Sequence, residues 1–266
     1  MELKAAFGHD KPIVAMVHLP PLPGSPLYDP KGGMHKIVDS CAADIEALQA
    51  GGVDAVMFGN EGDRPYLLKA SPATLAAMSY AIGELKKLIK VPFGVNYLWD
   101  PVATVALAVA SGARFAREIF TGIYDSDMGL WAPDAAGALR LRTDCHRQDL
   151  VLMYNINAEF ASPIGDRPIA QRAKSAVFSS LADVILVSGP MTGQAAETAD
   201  LKHVKDAIPT TPVFANTGVN FDNVADVLKI ADGAIIGTHF KVDGNTWNPV
   251  DRPRVERFMN KVRKLR

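Results

Sequence analysis

Carboxylates and histidines occur in this sequence at the points where short apolar runs end. Glu61 follows the run Asp54 to Phe58, between glycines and polar neighbours in FGNEGDRP. Proton abstraction needs a carboxylate that lies near the substrate and whose pKa is raised by partial burial. His18 ends the first such run and Glu118 lies in the fourth. We therefore predict Glu61 as catalytic base or acid, with His18 or Glu118 as its partner; the alternative is a solvated Glu61 paired with Arg64.

Side chains that can bind hydroxyl groups follow several of the same runs. Amides donate and accept hydrogen bonds without titrating, which suits the recognition of a sugar. The predicted substrate-binding residues are Asn60, Asp63, Asn96, Asn155, Asn157 and Asn216.

Glycine and threonine are frequent in three segments toward the C-terminus, which read SGPMTG, NTGVN and GTHFK. Glycine lets backbone N–H groups approach a phosphate closely, and threonine adds a hydroxyl donor. The predicted phosphate-binding residues are Ser188, Gly189, Thr192, Gly193, Thr217, Gly218, Gly237 and Thr238. The alternative is that these glycines only form tight turns.

Eight β-type runs, most of them followed by a helical pattern, must position these residues. Strands separated by helices imply a parallel sheet, and eight βα units in 266 residues predict a single (β/α)8 TIM barrel over residues 1–266. Its catalytic residues would lie at the carboxyl ends of the strands. A doubly wound open sheet is the alternative. The predicted strands are Ile13 to His18, Asp54 to Phe58, Phe93 to Tyr97, Phe115 to Ile119, Val151 to Ile156, Asp183 to Val187, Pro212 to Ala215 and Gly233 to Ile236.

Charge and composition restrict the partners. The chain has 28 basic and 29 acidic residues, a net charge of −1, so it lacks the basic surface that nucleic-acid binding needs. Its longest mostly apolar stretch, Val102 to Ala110, is too short for a transmembrane segment. Two cysteines and no secretory signal predict a cytoplasmic protein. We expect a small phosphorylated substrate, and the sequence leaves a homo-oligomer open.

Cofactor signals are few. The predicted strands carry no lysine, which disfavours a Schiff-base aldolase, and neither HxH after the first strand nor HExxH occurs. No metal site and no cofactor are therefore assigned. One alternative is a divalent cation such as magnesium, held by Glu61, Asp63, Glu118 and water. Another is FMN bound in the glycine loops.

Two segments resemble a known family. AMVHLPPLPGSP (Ala15 to Pro26) and ADGAIIGTHFKVDGNTWNPVD (Ala231 to Asp251) are similar to the BtpA family, which includes the SgcQ proteins. The resemblance spans essentially the whole chain and implies a TIM barrel of the ribulose-phosphate-binding type. The family's namesake is described as a photosystem I biogenesis factor, whereas SgcQ-like members resemble enzymes of sugar-phosphate metabolism.

The segment REIFTGIYDSDMGLWAP (Arg117 to Pro133) departs from the photosynthetic members, which implies a separate branch with its own substrate. We thus expect an enzyme that acts on a phosphorylated sugar or a nucleotide-like metabolite by acid–base chemistry, as an isomerase, epimerase, lyase or hydrolase. A non-catalytic assembly or stability factor is the alternative.

Two further features concern the barrel mouth. The proline-rich loop Leu19 to Pro30 is predicted to cover it, as a rigid cover or as a lid that excludes water. Among the tryptophans, Trp131 is the one expected to contact a ligand, because it lies in the long loop after the fourth strand.

Overall fold

The computed structural model describes residues 2–189 and 193–266, and its eight parallel strands close into a barrel. Around the barrel the order is β1-β11-β10-β9-β7-β4-β3-β2, while β5, β6 and β8 form a small antiparallel sheet. The predicted (β/α)8 barrel is confirmed, and the open sheet is excluded because β1 pairs with both β2 and β11. The strands are β1 (Ile13–His18), β2 (Ala55–Gly59), β3 (Phe93–Asn96), β4 (Phe115–Glu118), β5 (Tyr124–Ser126), β6 (Gly129–Trp131), β7 (Val151–Asn155), β8 (Ala161–Pro163), β9 (Val184–Val187), β10 (Val213–Ala215) and β11 (Gly233–Ile236).

Helices alternate with the barrel strands, and local sequence determines their ends. Asp100 caps α4 by accepting from the N–H groups of Val102 and Ala103, with Pro101 in the first turn. Gly52 ends α2 in the left-handed conformation. The helices are α1 (Leu3–Phe7), α2 (Gly33–Gly51), α3 (Pro72–Leu85), α4 (Pro101–Ser111), α5 (Ala135–Asp144), α6 (Ile169–Ser180), α7 (Thr198–Ala207), α8 (Val224–Ile230) and α9 (Arg252–Val262), with 3-10 turns at Lys86–Leu88, Thr238–Phe240 and Val242–Gly244.

Within the described ranges, no helix combines the length and the apolar character that crossing a membrane requires.

Apolar side chains fill the lower barrel. Phe7 of α1 closes the amino-terminal end, with its ring 5.1 Å from Phe115 and 6.0 Å from Phe214. A Cβ at Gly94 would overlap the Phe115 ring, so the absence of a side chain there lets the large ring fit. Side chains two residues apart in a strand point to the same face. Along the inward face, the apolar side chains are followed toward the carboxyl ends by polar groups.

A separate hydrophobic cluster lies apart from the barrel core. Trp99, Ile119, Tyr124 and Trp131 form it, on the loops and small sheet that follow β3 and β4. The rings of Trp99 and Trp131 are 4.6 Å apart, and those of Tyr124 and Trp131 are 5.5 Å apart. The small sheet thus supports the loop that follows β3.

Candidate functional site

A cavity of about 230 Å³ opens at the carboxyl ends of the barrel strands. Inward side chains at the strand ends line it together with residues of the following loops. The strand-end side chains include His18, Asn96, Arg117, Asn155 and Asn216. This is the end of a TIM barrel where catalytic groups lie.

Glu61 is buried in this cavity. Its Oε1 lies 3.8 Å from His18 Nε2 and 3.6 Å from an Arg117 Nη, while its Oε2 has no hydrogen-bond partner among the described residues. Burial raises the pKa of Glu61 to about 7, against the opposing charge of Arg117. A carboxyl with this pKa can release and accept a proton near neutral pH.

His18 faces Glu61 and is also buried. Burial, and then the positive charges of Lys241 and Arg117, hold the His18 pKa well below its usual value, so the imidazole is neutral at pH 7. A neutral imidazole can donate a hydrogen bond from one nitrogen and accept one at the other.

Glycines at the carboxyl ends of the two strands beside β1 leave room for this pair. A Cβ at Gly59 would lie 2.5 Å from Glu61 Oε2, and one at Gly237 would lie 3.0 Å from the His18 ring. Both positions border β1 in the barrel. A larger residue at either place would displace a predicted catalytic side chain.

Glu118 also lines the cavity, and its carboxylate is held from three directions. Its Oε2 accepts from Asn96 Nδ2 at 2.5 Å and from the Trp99 N–H at 3.1 Å, and its Oε1 accepts from the Ile119 N–H at 2.8 Å. Burial nevertheless raises the Glu118 pKa to about 7. The site therefore contains two carboxyls that titrate in the neutral range.

Arg117 links these groups, although it is not among the site residues predicted from the sequence. Its Nε donates to Asn96 Oδ1 at 2.9 Å, and an Nη donates to Asn216 Oδ1 at 3.2 Å. The available signal was spacing: Arg117 lies two residues after the inward Phe115, and residues two apart share one face of a strand.

The predicted substrate-binding residues divide into two groups. Asn96, Asn155 and Asn216 line the cavity. Asn96 and Asn216 hold Arg117, and Asn216 Nδ2 also donates to Ser188 Oγ at 2.8 Å. Asn155 Oδ1 accepts a long hydrogen bond, 3.4 Å, from the Asn157 N–H.

The other three predicted substrate-binding residues connect loops and lie outside the cavity lining. Asn60 accepts from the Leu98 N–H and donates to Asp63, and Asp63 accepts from the Leu22 N–H at 2.8 Å. The Asn157 side-chain amide donates to the Ser188 carbonyl through Nδ2 and accepts from the Ser188 N–H at Oδ1. These amides support the walls of the site.

The glycine-rich loops come together on one side of the mouth. Gly193, Thr217, Gly218, Gly237 and Thr238 line the cavity. A single 3-10 turn, Thr238–Phe240, follows β11 on this side. A cluster of glycine and threonine next to a helical turn can bind an anion.

The remaining predicted phosphate residues have other positions. Ser188 and Gly189 lie behind the lining, where the Gly189 N–H donates to Thr217 Oγ1 at 2.6 Å. Thr192 lies outside the described residues. Gly218 also has a packing role, because a Cβ there would overlap the backbone of Ala195.

The carboxylates proposed for a divalent cation do not converge. Asp63 is bound to Asn60 and to the Leu22 backbone, and among the described residues no group of three acidic, histidine or cysteine side chains is arranged to hold a metal ion. The combination of Glu61, Asp63 and Glu118 is therefore not a preformed site.

Two expectations about the mouth need correction. Trp131 is buried behind Trp99 and does not line the cavity, whereas Trp99 does. In the proline-rich loop, Leu19 and Leu22 are buried, and Gly62 donates to the Leu19 carbonyl. This loop packs against the loop after β2, and none of its residues lines the cavity.

Sequence comparisons relate nearly the whole chain to known proteins. The model of the BtpA family matches residues 9–264. The sgc region protein SgcQ of Escherichia coli K12 is 47% identical over 264 residues, which are 99% of this chain and 98% of SgcQ. The photosystem I biogenesis protein BtpA of Synechocystis is 32% identical over 263 residues, which are 97% of this chain and 90% of BtpA.

Solved structures share the fold at low sequence identity. (S)-3-O-geranylgeranylglyceryl phosphate synthase from Thermoplasma acidophilum, in complex with sn-glycerol-1-phosphate, superposes with a TM-score of 0.62 at 13% identity, covering 98% of this chain and 97% of that chain. Phosphoribosyl anthranilate isomerase from Thermus thermophilus gives a TM-score of 0.59 at 13% identity, covering 96% and 100%.

Proposed function

The chain belongs to the BtpA family, and from that premise and the geometry of its barrel mouth we propose that it is an enzyme that isomerises or epimerises a small phosphorylated sugar. Glu61 transfers the proton. His18 and Glu118 assist it, and the loops after β9, β10 and β11 bind the phosphate.

One observation carries the proposal, namely the state of Glu61. A buried carboxyl with a pKa of about 7, one oxygen of which has no hydrogen-bond partner in the described part of the chain, costs folding free energy. That cost is explained if the free oxygen receives a proton from a substrate carbon or hydroxyl. His18 Nε2, 3.8 Å from the other oxygen, is placed to polarise the same part of the substrate.

The charge distribution of the floor supports proton transfer in both directions. The positive charge of Arg117 lowers the pKa values of both carboxyls and so limits how far burial raises them. Negative charge that develops on a sugar oxygen can be stabilised by this guanidinium. Asn155 then remains to bind a hydroxyl group.

Schiff-base cleavage has less support than proton transfer. No lysine lines the cavity in the described part of the chain, and Lys241 is bound at 2.6 Å to buried Asp44. Hydrolysis and other lyase reactions use the same carboxyls and remain outcomes of the test below.

One solved structure with this fold binds a molecule of the proposed class. The Thermoplasma synthase is described in complex with sn-glycerol-1-phosphate, a small phosphorylated molecule. Its low identity makes it evidence of fold, so the phosphate assignment here depends on Gly193, Gly218 and Thr238 of this chain.

The test is solvent-proton exchange. The protein is incubated in D₂O with a panel of aldose and ketose phosphates, and deuterium incorporation is followed by NMR and mass spectrometry. We expect incorporation next to the carbonyl carbon of at least one sugar phosphate. Glu61→Gln should slow it by roughly 10²- to 10⁴-fold, the usual contribution of a general base.

A matched variant separates this effect from the loss of one negative charge. Glu46 is an exposed glutamate on α2, so Glu46→Gln should exchange at the wild-type rate. Full exchange by Glu61→Gln would remove that residue from the mechanism. Cleaved or hydrolysed products without exchange would replace isomerisation by one of the other reactions.

A further inference from the structure

The cavity has one apolar side that the proposed reaction does not require. Tyr66, Leu98, Trp99, Ile119 and Phe160 line it, and we call them the apolar wall. They come from the loops after β2, β3, β4 and β7. A sugar phosphate presents hydroxyls, which such a surface cannot pair.

The opposite side is made of small and polar residues. The loops after β9, β10 and β11 contribute the polar arc, which consists of Gly193, Thr217, Gly218, Asn220 and Thr238. Since β9 to β11 are neighbours in the barrel, and β2, β3, β4 and β7 form the other continuous stretch, the two sides face each other across the mouth. The catalytic groups lie on the floor between them.

The apolar wall is supported by its own core. Trp99 is 4% exposed and packs on Trp131, which the small sheet of β5, β6 and β8 holds in place. This cluster is separate from the core inside the barrel and from the core between the strands and the outer helices. The small antiparallel sheet thus supports one side of the cavity.

One polar atom in the apolar wall lacks a partner. Trp99 Nε1 is buried and has no hydrogen-bond acceptor among the described residues. The other polar atom of the wall, Tyr66 Oη, already donates to the Glu61 carbonyl at 3.1 Å. A ligand that meets this wall therefore does best with an apolar ring that carries an acceptor atom.

We propose, building on the function above, that the substrate is a sugar phosphate that bears a planar heteroaromatic ring at the end away from the phosphate and keeps the carbonyl group that proton transfer to Glu61 requires. The phosphate lies on the polar arc, the ring lies against the apolar wall, and the sugar spans the floor next to Glu61. A ring fits better than an alkyl chain because three of the five wall residues are aromatic and an alkyl chain offers no acceptor to Trp99.

Calorimetric titration with matched probes tests this substrate class. The probes are uridine 5′-monophosphate, adenosine 5′-monophosphate, ribose 5-phosphate, uridine and hexyl phosphate. We expect at least one nucleotide to bind roughly tenfold or more tightly than both ribose 5-phosphate and uridine, because only the nucleotide contacts both sides.

Variants locate the effect. Trp99→Ala and the milder Leu98→Ser should remove the advantage of the nucleotide over ribose 5-phosphate, with thermal melting as the check of folding. Trp247→Ala is the control, because Trp247 is exposed and does not line the cavity. It should bind every probe as the wild type does.

The other outcomes are distinguishable. Equal affinity for ribose 5-phosphate and the nucleotides would overturn the ring and leave the proposed phosphosugar function standing. Tightest binding of hexyl phosphate would replace the ring by an alkyl group. If no phosphorylated probe binds while a sugar phosphate exchanges in D₂O, the ring fails and the phosphosugar function stands; if neither binding nor exchange occurs, both fail.

Discussion

Replacing Glu61 by glutamine should make the protein more stable, and more so at pH 8 than at pH 5. Glutamine has nearly the same shape as glutamate but no charge to desolvate. Because Glu61 Oε2 has no hydrogen-bond partner in the described structure, the substitution sacrifices no contact of that oxygen. The prediction links the proposed catalytic state of Glu61 to a property that needs no substrate.

The magnitude follows from the pKa of this carboxyl. Burial raises it from 4.5 to about 7, so the folded state binds the proton more tightly than the unfolded state. Stability is then lost as the pH rises from 4.5 through 7. This difference in proton binding lowers the free energy of unfolding by about 1 kcal/mol at pH 5 and by about 3 kcal/mol at pH 8. Glu61→Gln should restore up to these amounts of unfolding free energy.

Thermal unfolding of both proteins at the two pH values measures the effect. For a chain of this size we expect the variant to melt on the order of 6 °C higher at pH 8 and about 2 °C higher at pH 5. Glu46→Gln removes an exposed charge and should change neither value. A gain that is the same at both pH values, or a loss at pH 8, would refute the assignment of a raised pKa to Glu61.

Three other substitutions test the surroundings of the site. Gly59→Ala should lower kcat/KM about 100-fold while the protein stays folded, because the new Cβ would lie 2.5 Å from Glu61 Oε2. Steady-state kinetics and a melting curve of the variant test this, and an unchanged kcat/KM would contradict it. Arg117→Met should move the pH profile of kcat/KM upward by about one unit, since the guanidinium lowers the pKa of the nearby carboxyls; an unshifted profile would rule this out. Asp44→Ala should cost about 3–5 kcal/mol of unfolding free energy in urea, because it leaves buried Lys241 unpaired; a loss below 1 kcal/mol would show that the pair contributes little.

The barrel could be predicted because its strands are buried on both faces. Such strands read as apolar runs that stop at a polar residue or glycine, and the predicted bounds Ile13 to His18 and Gly233 to Ile236 are those observed. The same rule located His18, because the residue that ends a strand of a parallel barrel points to one common edge.

The contacts within the site depend on information that local sequence lacks. Trp131 packs behind Trp99 from the small antiparallel sheet. That sheet forms only when β5 pairs with β8, with Tyr124 opposite Pro163, which joins distant parts of the chain. Whether a strand-end amide faces the cavity depends on loop conformation in the same way. Asn155 lines the cavity, whereas Asn157, two residues later, binds the Ser188 backbone.

A crystal structure of the protein grown with the sugar phosphate that exchanges fastest in D₂O tests the proposed role of Glu61 most directly. We predict the phosphate between Gly218 and Thr238 and the exchanging carbon within reach of Glu61 Oε2. A phosphate bound on the side of Trp99, or a sugar held away from Glu61, would contradict the proposed mechanism.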